Sequence, residues 1–276
     1  MALSITNNIA ALNAYQNLTN AQDKLTSSIA KLSSGNAITS AGDNAAGLAI
    51  STGLTSQVNG LNVAATNAQS GLDVVQTASG ALTQVTSMLQ RLRDLAVQAA
   101  NDSNSVSSRK DISTEALQIT NELTRVSQST NFNGTNLLDG SAPTLNFQVG
   151  ANGTSDNTIA VDLTSANVGA VVTGLGTLNF GTNAGATAAI STIDTQLGTV
   201  STAQANLGAT ENRFTSAIAS VNVASQNLNS ASSQITSTDM AKQMVIFTGQ
   251  QVQSQAATAI LAQANQLPQG ILKLLG

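Results

Sequence analysis

The sequence predicts a mainly α fold: long antiparallel helices from both chain ends form coiled-coil bundles, with a small β-hairpin region in the middle. Three observations predict it. Ile193, Val200, Leu207, Phe214, Val221, Leu228 and Ile235 recur at intervals of seven and all are apolar. That spacing puts them on one stripe of a slightly underwound helix, the seam a coiled coil needs. In the first half, Leu61, Ala65, Ala68, Leu72, Val75, Ala78, Leu82, Val85, Leu89, Leu92 and Ala96 repeat with steps of 3 and 4, with one doubled 3-step at Val75–Ala78. Strand-like alternation is confined to the stretch between these two rods.

The elements follow in order. A first rod runs through Ile5, Ile9, Leu12, Tyr15, Leu18, Leu25, Ile29 and Leu32. The second covers the 61–96 stripe. A turn-rich centre begins near Asn131, where Asn133-Gly134 and Asp139-Gly140 flank Leu137-Leu138, the pattern of a short hairpin with glycine at left-handed positions. Leu145, Phe147 and Val149 alternate on one face of Thr144–Val149, and Ile159, Val161 and Leu163 do so in Thr158–Leu163, with a turn at Asn152-Gly153 between. Residues 165–187, rich in Gly, Ala, Thr and Asn, read as a loop or small surface excursion. In the rod that follows, Ile190, Leu197 and Ile218 complete the 3/4 spacing, while Gln204, Glu211, Ser225 and Ser232 dilute it. At about 1.5 Å per residue it runs roughly 60 Å. It cannot hide its stripe within itself, so it needs a partner helix. A last rod covers about Asp239–Gln266.

Composition narrows the function classes. The chain has 276 residues with no His, Cys or Trp, one Tyr, two Pro and only 9% charged residues. Without His or Cys there is no zinc site of ordinary type, no Ser/His pair and no thiol nucleophile. Gly174-Leu175-Gly176 lacks the third glycine of a dinucleotide fingerprint, and Asp156 with Asp162 is a chance carboxylate pair in a solvated loop. No catalytic constellation assembles, and no cofactor is expected. A net charge of −4 with scattered Lys and Arg argues against nucleic acid. No apolar run approaches the ~18 residues of a membrane span. The first 22 residues carry no Lys or Arg and no continuous apolar block, unlike a secretory signal peptide. Absence of cysteine suits a chain that crosses an oxidising space unfolded. A surface of Ser, Thr, Asn and Gln can pack against neighbouring copies without stranding a charge.

The ends are poor in charge: residues 1–42 carry Asp23, Lys24 and Lys31, and residues 237–276 carry Asp239, Lys242 and Lys273. Helices with such thin stripes are marginal alone. Segments 1–42 and 237–276 are therefore expected to be disordered in the monomer and helical on assembly. Residues 43–164 with 188–236 form a coiled-coil spoke carrying the hairpin region at about 131–164.

Several blocks resemble one family. Ile5-Thr6-Asn7-Asn8 with Ala10 and Ala11, Leu32-Ser33-Ser34-Gly35 and Ser40-Ala41-Gly42-Asp43-Asn44-Ala45-Ala46-Gly47 look like consecutive N-terminal blocks of bacterial flagellin. Leu89-Gln90-Arg91-Leu92-Arg93-Asp94-Leu95-Ala96-Val97-Gln98, Phe132-Asn133-Gly134-Thr135 with Leu137-Leu138-Asp139-Gly140, and Phe147-Gln148-Val149-Gly150-Ala151 continue the match. Gln263-Ala264-Asn265-Gln266-Leu267-Pro268-Gln269 and Leu274-Leu275-Gly276 resemble the family terminus. The resemblance covers roughly 1–164 and 188–276, with the large outer domains of longer flagellins absent. One departure is Asn36-Ala37-Ile38-Thr39, where the family usually has an arginine.

The resemblance implies a secreted structural subunit that is exported unfolded and self-assembles into the filament that drives swimming. Leu72, Leu82, Leu89 and Leu92, with the seven residues spaced by seven, are the expected packing seam. Partners implied are many copies of the chain itself, hook-associated and filament-cap proteins, an export chaperone and the flagellar export apparatus. Arg91, Leu95 and Glu115 match positions contacted by the vertebrate flagellin-sensing Toll-like receptor; the same surface suits subunit packing, with Arg91 and Glu115 as an interhelix pair. Ile271, Leu272, Leu274 and Leu275 form a terminal apolar cluster, read as inner-wall packing or chaperone recognition. Asn133, Gly134 and Gly140 are expected hairpin formers, in a hairpin the family uses to set filament curvature. A hook–filament junction protein and a secreted coiled-coil binding ligand stay open as alternatives.

Overall fold

The computed structural model describes residues 8–275, and side chains through Gln266. Six helices dominate: α1 (Ile9–Ser34), α2 (Ala45–Ala99), α3 (Val106–Ser129), α4 (Val168–Leu175), α5 (Asn183–Thr236) and α6 (Met240–Leu275). Two antiparallel strand pairs lie between α3 and α4. One is β1 (Asn131–Phe132) with β2 (Thr135–Asn136); the other is β3 (Thr144–Gln148) with β4 (Thr158–Asp162), in register from Thr144↔Asp162 to Gln148↔Thr158. By contact the chain divides into a terminal unit, Met1–Ser56 with Asn227–Gly276, and a central unit, Gln57–Gln226.

In the central unit, α2 and α5 run antiparallel in one constant register. Four side-chain hydrogen bonds show it: Ser225 Oγ to Asn62 Oδ1 (3.1 Å), Gln76 Nε2 to Glu211 Oε1 (3.1 Å), Gln204 Nε2 to Thr83 Oγ1 (3.5 Å) and Arg93 Nε to Asp194 Oδ1 (2.6 Å). In each pair the two residue numbers sum to 287. Beneath these links Ile193, Val200, Leu207 and Phe214 are buried in one core with Val75, Leu82, Leu89 and Leu92. The heptad stripe thus finds its partner where the α2 stripe offers it.

Two helices depart from the sequence expectation. Residues 106–129, to which no rod was assigned, form α3, whose buried face is Ile112, Ala116, Leu123 and Val126. The expected surface excursion at 165–187 is corrected by α4 and the chain after it: Val168, Val171, Leu175 and Phe180 are buried in the same core. Asn167 caps α4 by accepting from the Ala170 amide (2.9 Å), so a loop-like composition folds into the interior.

One close approach fixes the packing. The Phe214 ring meets Phe147 edge to face, centroids 5.6 Å apart at 84°. Its Cζ–Cε1 edge also abuts Gly71, where a Cβ would stand 2.5 Å from Phe214 Cζ. Only glycine leaves that space. Gly71→Ala should therefore cost about 1–3 kcal/mol through overpacking, and Phe214→Ala about 3–5 kcal/mol through the cavity it opens. Thermal unfolding of the two variants against the parent chain checks both; an unchanged Tm in Gly71→Ala would refute this packing.

Candidate assembly surface

The terminal unit is built on a pair of helices, each with a buried and an exposed face. In α6, each residue between 240 and 266 that is not exposed falls on Gln243, Phe247, Gln250, Ser254, Ala257, Leu261 or Ala264, alternating steps of 4 and 3. The facing stripe of α1 runs through Ala11, Ala14, Leu18, Ala21, Leu25, Ser28 and Leu32. The pairing is antiparallel: Asn8 Nδ2 donates to the Ala264 carbonyl (2.9 Å), Gln243 Nε2 to Ser28 Oγ (2.7 Å), and Asn36 bridges Ser237. This interface is built mostly from small and polar side chains, with Leu18, Leu25 and Leu32 of α1 and Phe247 and Leu261 of α6 among them. Other large apolar side chains of α1 point away from it: Ile9 is 66% exposed, and Leu12, Tyr15 and Ile29 are exposed too. On α6 the same holds for Met240, Met244, Val245 (74% exposed), Ile246, Val252 and Ile260.

The expected first-rod stripe is thereby divided. Leu18, Leu25 and Leu32 turn inward, whereas Ile9, Leu12, Tyr15 and Ile29 turn outward; Ile5 lies outside the described residues. Small residues interleaved with these leucines let the two helices approach along their length, while the outward bulky side chains are left for another partner.

Asn8 has two roles. Its Oδ1 accepts from the Ala11 amide (3.0 Å) and caps α1, and its Nδ2 reaches the Ala264 carbonyl. That carbonyl lies four residues before Pro268, which has no amide hydrogen to give it. The signal was legible in principle, as a proline inside a helix always frees a carbonyl. Gln250 Oε1, by contrast, is buried with no hydrogen-bond partner among the described residues.

The segment joining α1 to α2 is held by one carboxylate. Asp43 Oδ2 accepts from the Thr39 amide (3.1 Å) and hydroxyl (2.9 Å) and the Ser40 amide (3.0 Å), while Lys31 Nζ sits 2.8 Å from Oδ1. The Lys31 contact first, then the Thr39 bonds, hold this carboxyl far below the usual carboxylate range. Asn44 then accepts from the Gly47 amide (2.9 Å) to begin α2.

The remaining predicted residues are placed as follows. Leu82, Leu89, Leu92, Ile193, Val200, Leu207, Phe214 and Val221 are buried within the subunit; Leu72, Leu228 and Ile235 are half-buried. Arg91 donates from Nε (2.9 Å) and Nη2 (2.6 Å) to Glu115 Oε1, tying α2 to α3, with both side chains about half exposed. Leu95 does not share their surface: it is 1% exposed, in the core. Its expected place beside Arg91 fails because α2 buries two flanking stripes, one of them covered by the unpredicted α3. Asn133 (φ 48°) and Gly134 (φ 82°) form the two-residue turn between β1 and β2, with both central residues left-handed. Gly140 is also left-handed (φ 85°), in a turn where Asp139 accepts from the Ser141 amide (2.8 Å). The buried Leu138 anchors this region, its carbonyl accepting from Ser127 Oγ (3.0 Å) and the Val168 amide (2.8 Å). Side chains of Ile271, Leu272, Leu274 and Leu275 lie outside the described residues.

A shallow groove of about 420 Å³ brings Asp156 and Arg213 to one rim, and Asp162 is engaged by the Thr164 amide (2.8 Å). No group of three metal-ligating side chains occurs among the described residues. No helix among them is long and apolar enough to cross a membrane.

Comparison with known proteins follows this geometry. Residues 5–143 match the family described as bacterial flagellin N-terminal helical region, and residues 190–275 match its C-terminal helical region. A flagellin of Halalkalibacterium halodurans is 42% identical over 98% of this chain and 99% of its own. A protein of Treponema phagedenis named flagellar filament 33 kDa core protein is 38% identical over 98% of this chain and 99% of its own. The crystal structure of Bacillus cereus flagellin superposes with a TM-score of 0.50 at 25% identity, covering 56% of this chain and 88% of that one.

Two outcomes test the terminal unit. Gln250→Leu removes a buried unsatisfied acceptor and should stabilise the α1–α6 pair by about 1 kcal/mol or more, read as higher far-ultraviolet helicity and slower proteolysis near the chain ends. For Asp43 the folded value is depressed, so its contribution is complete above the unfolded value of about 4 and lost as pH falls through the folded one. The Thr39 and Ser40 amide resonances should stay constant from neutral pH down to about 4 and shift only below it; Asp43→Asn should displace them already at neutral pH.

Proposed function

Because the chain belongs to the bacterial flagellin family, we propose that it builds the extracellular flagellar filament as a structural subunit and that its terminal helices drive polymerisation. The observation that carries this reading is the outward apolar surface: Ile9, Leu12, Tyr15, Val245, Val252 and Ile260 stand exposed on helices whose inner faces are mostly small and polar, with a few Leu and Phe247 among them. Exposed apolar surface of this extent marks an interaction site, and copies of the chain supply matching stripes. Burial at roughly 25 cal/mol per Å² supplies the association energy. Exposed ion pairs, each about 1 kcal/mol or less, do not compete. The relatives that align end to end are named flagellin or filament core protein, which favours the filament over a junction piece or a secreted ligand.

The subunit travels with its ends unpaired and orders them on addition to the tip. The thin α1–α6 interface and the unpartnered Gln250 oxygen support this, since the pair gains little by itself. The export chaperone takes the terminal apolar cluster Ile271, Leu272, Leu274 and Leu275 before assembly. A host Toll-like receptor meets Arg91 and Glu115, which the folded subunit presents; Leu95 takes no part.

Electron microscopy of purified subunit with short filament seeds tests the central claim. Long uniform filaments should grow from the full chain, with a rise in helicity, and none from a chain lacking residues 237–276. Equal growth from the truncated chain would remove the terminal helices from the mechanism, and soluble subunit under every condition would remove the filament.

A further inference from the structure

The chain has no cysteine, no tryptophan and a single tyrosine, so its thioethers are its readily oxidised groups. They are not equally placed. Met88 on α2 is half-buried against the central core. Met240 and Met244 stand one turn apart at the start of α6, 48% and 51% exposed, on one face of the helix. Val245 stands exposed on the outward side next to them, Gln243 and Phe247 occupy the inner stripe, and Ile246 is exposed on the far side of that stripe. The two most accessible sulfurs among the described residues thus lie within the surface assigned above to subunit contact.

We propose that Met240 and Met244 are an oxidation site through which peroxide controls subunit addition: the free subunit is modified there and stops adding, whereas the assembled subunit is shielded. The inference rests on the filament reading. In the chemical step a thioether lone pair attacks one oxygen of hydrogen peroxide. The O–O bond breaks, an S–O bond forms, and the departing hydroxide takes the remaining proton to leave as water. Sulfur loses two electrons and the peroxide gains them. The product is a polar, chiral sulfoxide in place of a flexible apolar side chain. Set against an apolar stripe of another copy, the new oxygen finds no donor, and burying it unpaired opposes association. Free in solution the same oxygen is hydrated, so the fold of the subunit is unaffected.

The test treats full-length subunit and preformed filaments separately with hydrogen peroxide and maps each methionine by peptide mass. Subunit elongation from untreated seeds is then measured. In the free subunit Met240 and Met244 should gain oxygen about fivefold or more faster than Met88, and in filaments both should be protected. Treated subunit should elongate at least roughly tenfold more slowly than untreated. The double variant Met240→Leu, Met244→Leu is compared with itself: its treated and untreated rates should be equal, whatever rate it starts from. Normal elongation by oxidised subunit, inhibition of the double variant to the same degree, or equal oxidation of filament and free subunit would each overturn the proposal. Untreated subunit that never elongates would overturn the filament reading and this proposal with it, recognisable because the oxidation map of the free subunit would still rank Met240 and Met244 above Met88.

Discussion

The structure of the central unit depends on one constraint: the heptad stripe of α5 must be buried against α2 in a single register. Ile193, Val200, Leu207 and Phe214 reach the interior with the two helices antiparallel, and cross-links from Asn62 to Arg93 keep the same offset throughout. Those polar links are exposed and individually weak. Their value is selective: slipping the helices by one residue would break all of them and rotate the apolar stripe off its partner. Everything between α2 and α5 in sequence then has to close over what this pair leaves uncovered. α3 covers the flank of α2 that buries Leu95, α4 and Phe180 fill the adjacent space, and Leu138 is fastened by both Ser127 and Val168.

The terminal unit applies the same 3/4 periodicity with the sizes reversed. Its inner stripe is mostly Ala, Ser and Gln with a few Leu and Phe247, and its outer face holds Ile, Leu, Tyr, Met and Val. A helix pair that buries its small residues and exposes its large ones gains little from folding by itself and much from being surrounded. Polar details agree. Asn8 and Gln243 fix the alignment of α1 on α6, yet Gln250 leaves a buried oxygen unpaired. Specific but weakly stable is what a segment requires if it is to be transported unpaired and then adopt one arrangement on arrival.

How much of this was legible in the sequence follows from what periodicity encodes. Long stripes were legible where large apolar residues alternate with polar ones, as in α5, and the left-handed turn at Asn133-Gly134 was legible because few residue pairs tolerate it. α3 was missed although Ile112, Ala116, Ile119, Leu123 and Val126 keep steps of 4 and 3, because polar and charged residues crowd the rest of that stretch. α4 was missed because Gly169 and Gly174 bracket a short apolar run that reads equally as a strand or loop. On α1 and at Leu95 the apolar positions were right and the facing was wrong. Apolarity says that a side chain will be covered; it does not say by which neighbour, and a helix with two apolar stripes has two answers.

Charge placement completes the argument. In the central unit Arg91, Arg93, Arg109 and Arg125 each reach a carboxylate, and three of these pairs join separate helices or connect a helix to its loop. In the terminal unit the ion pair found among the described residues is Lys31 with Asp43, placed where α1 gives way to α2. The exposed faces of α1 and α6 otherwise carry only Asp23, Lys24 and Lys242 through Gln266. A contact between copies made through these faces has few charges to accommodate, each of which would cost several kcal/mol if left unpaired. It also gains little from ionic attraction, so its strength comes chiefly from removing apolar surface from water and persists at high salt. The scarcity of charge at the chain ends therefore suits the polymer contact proposed for their exposed apolar side chains.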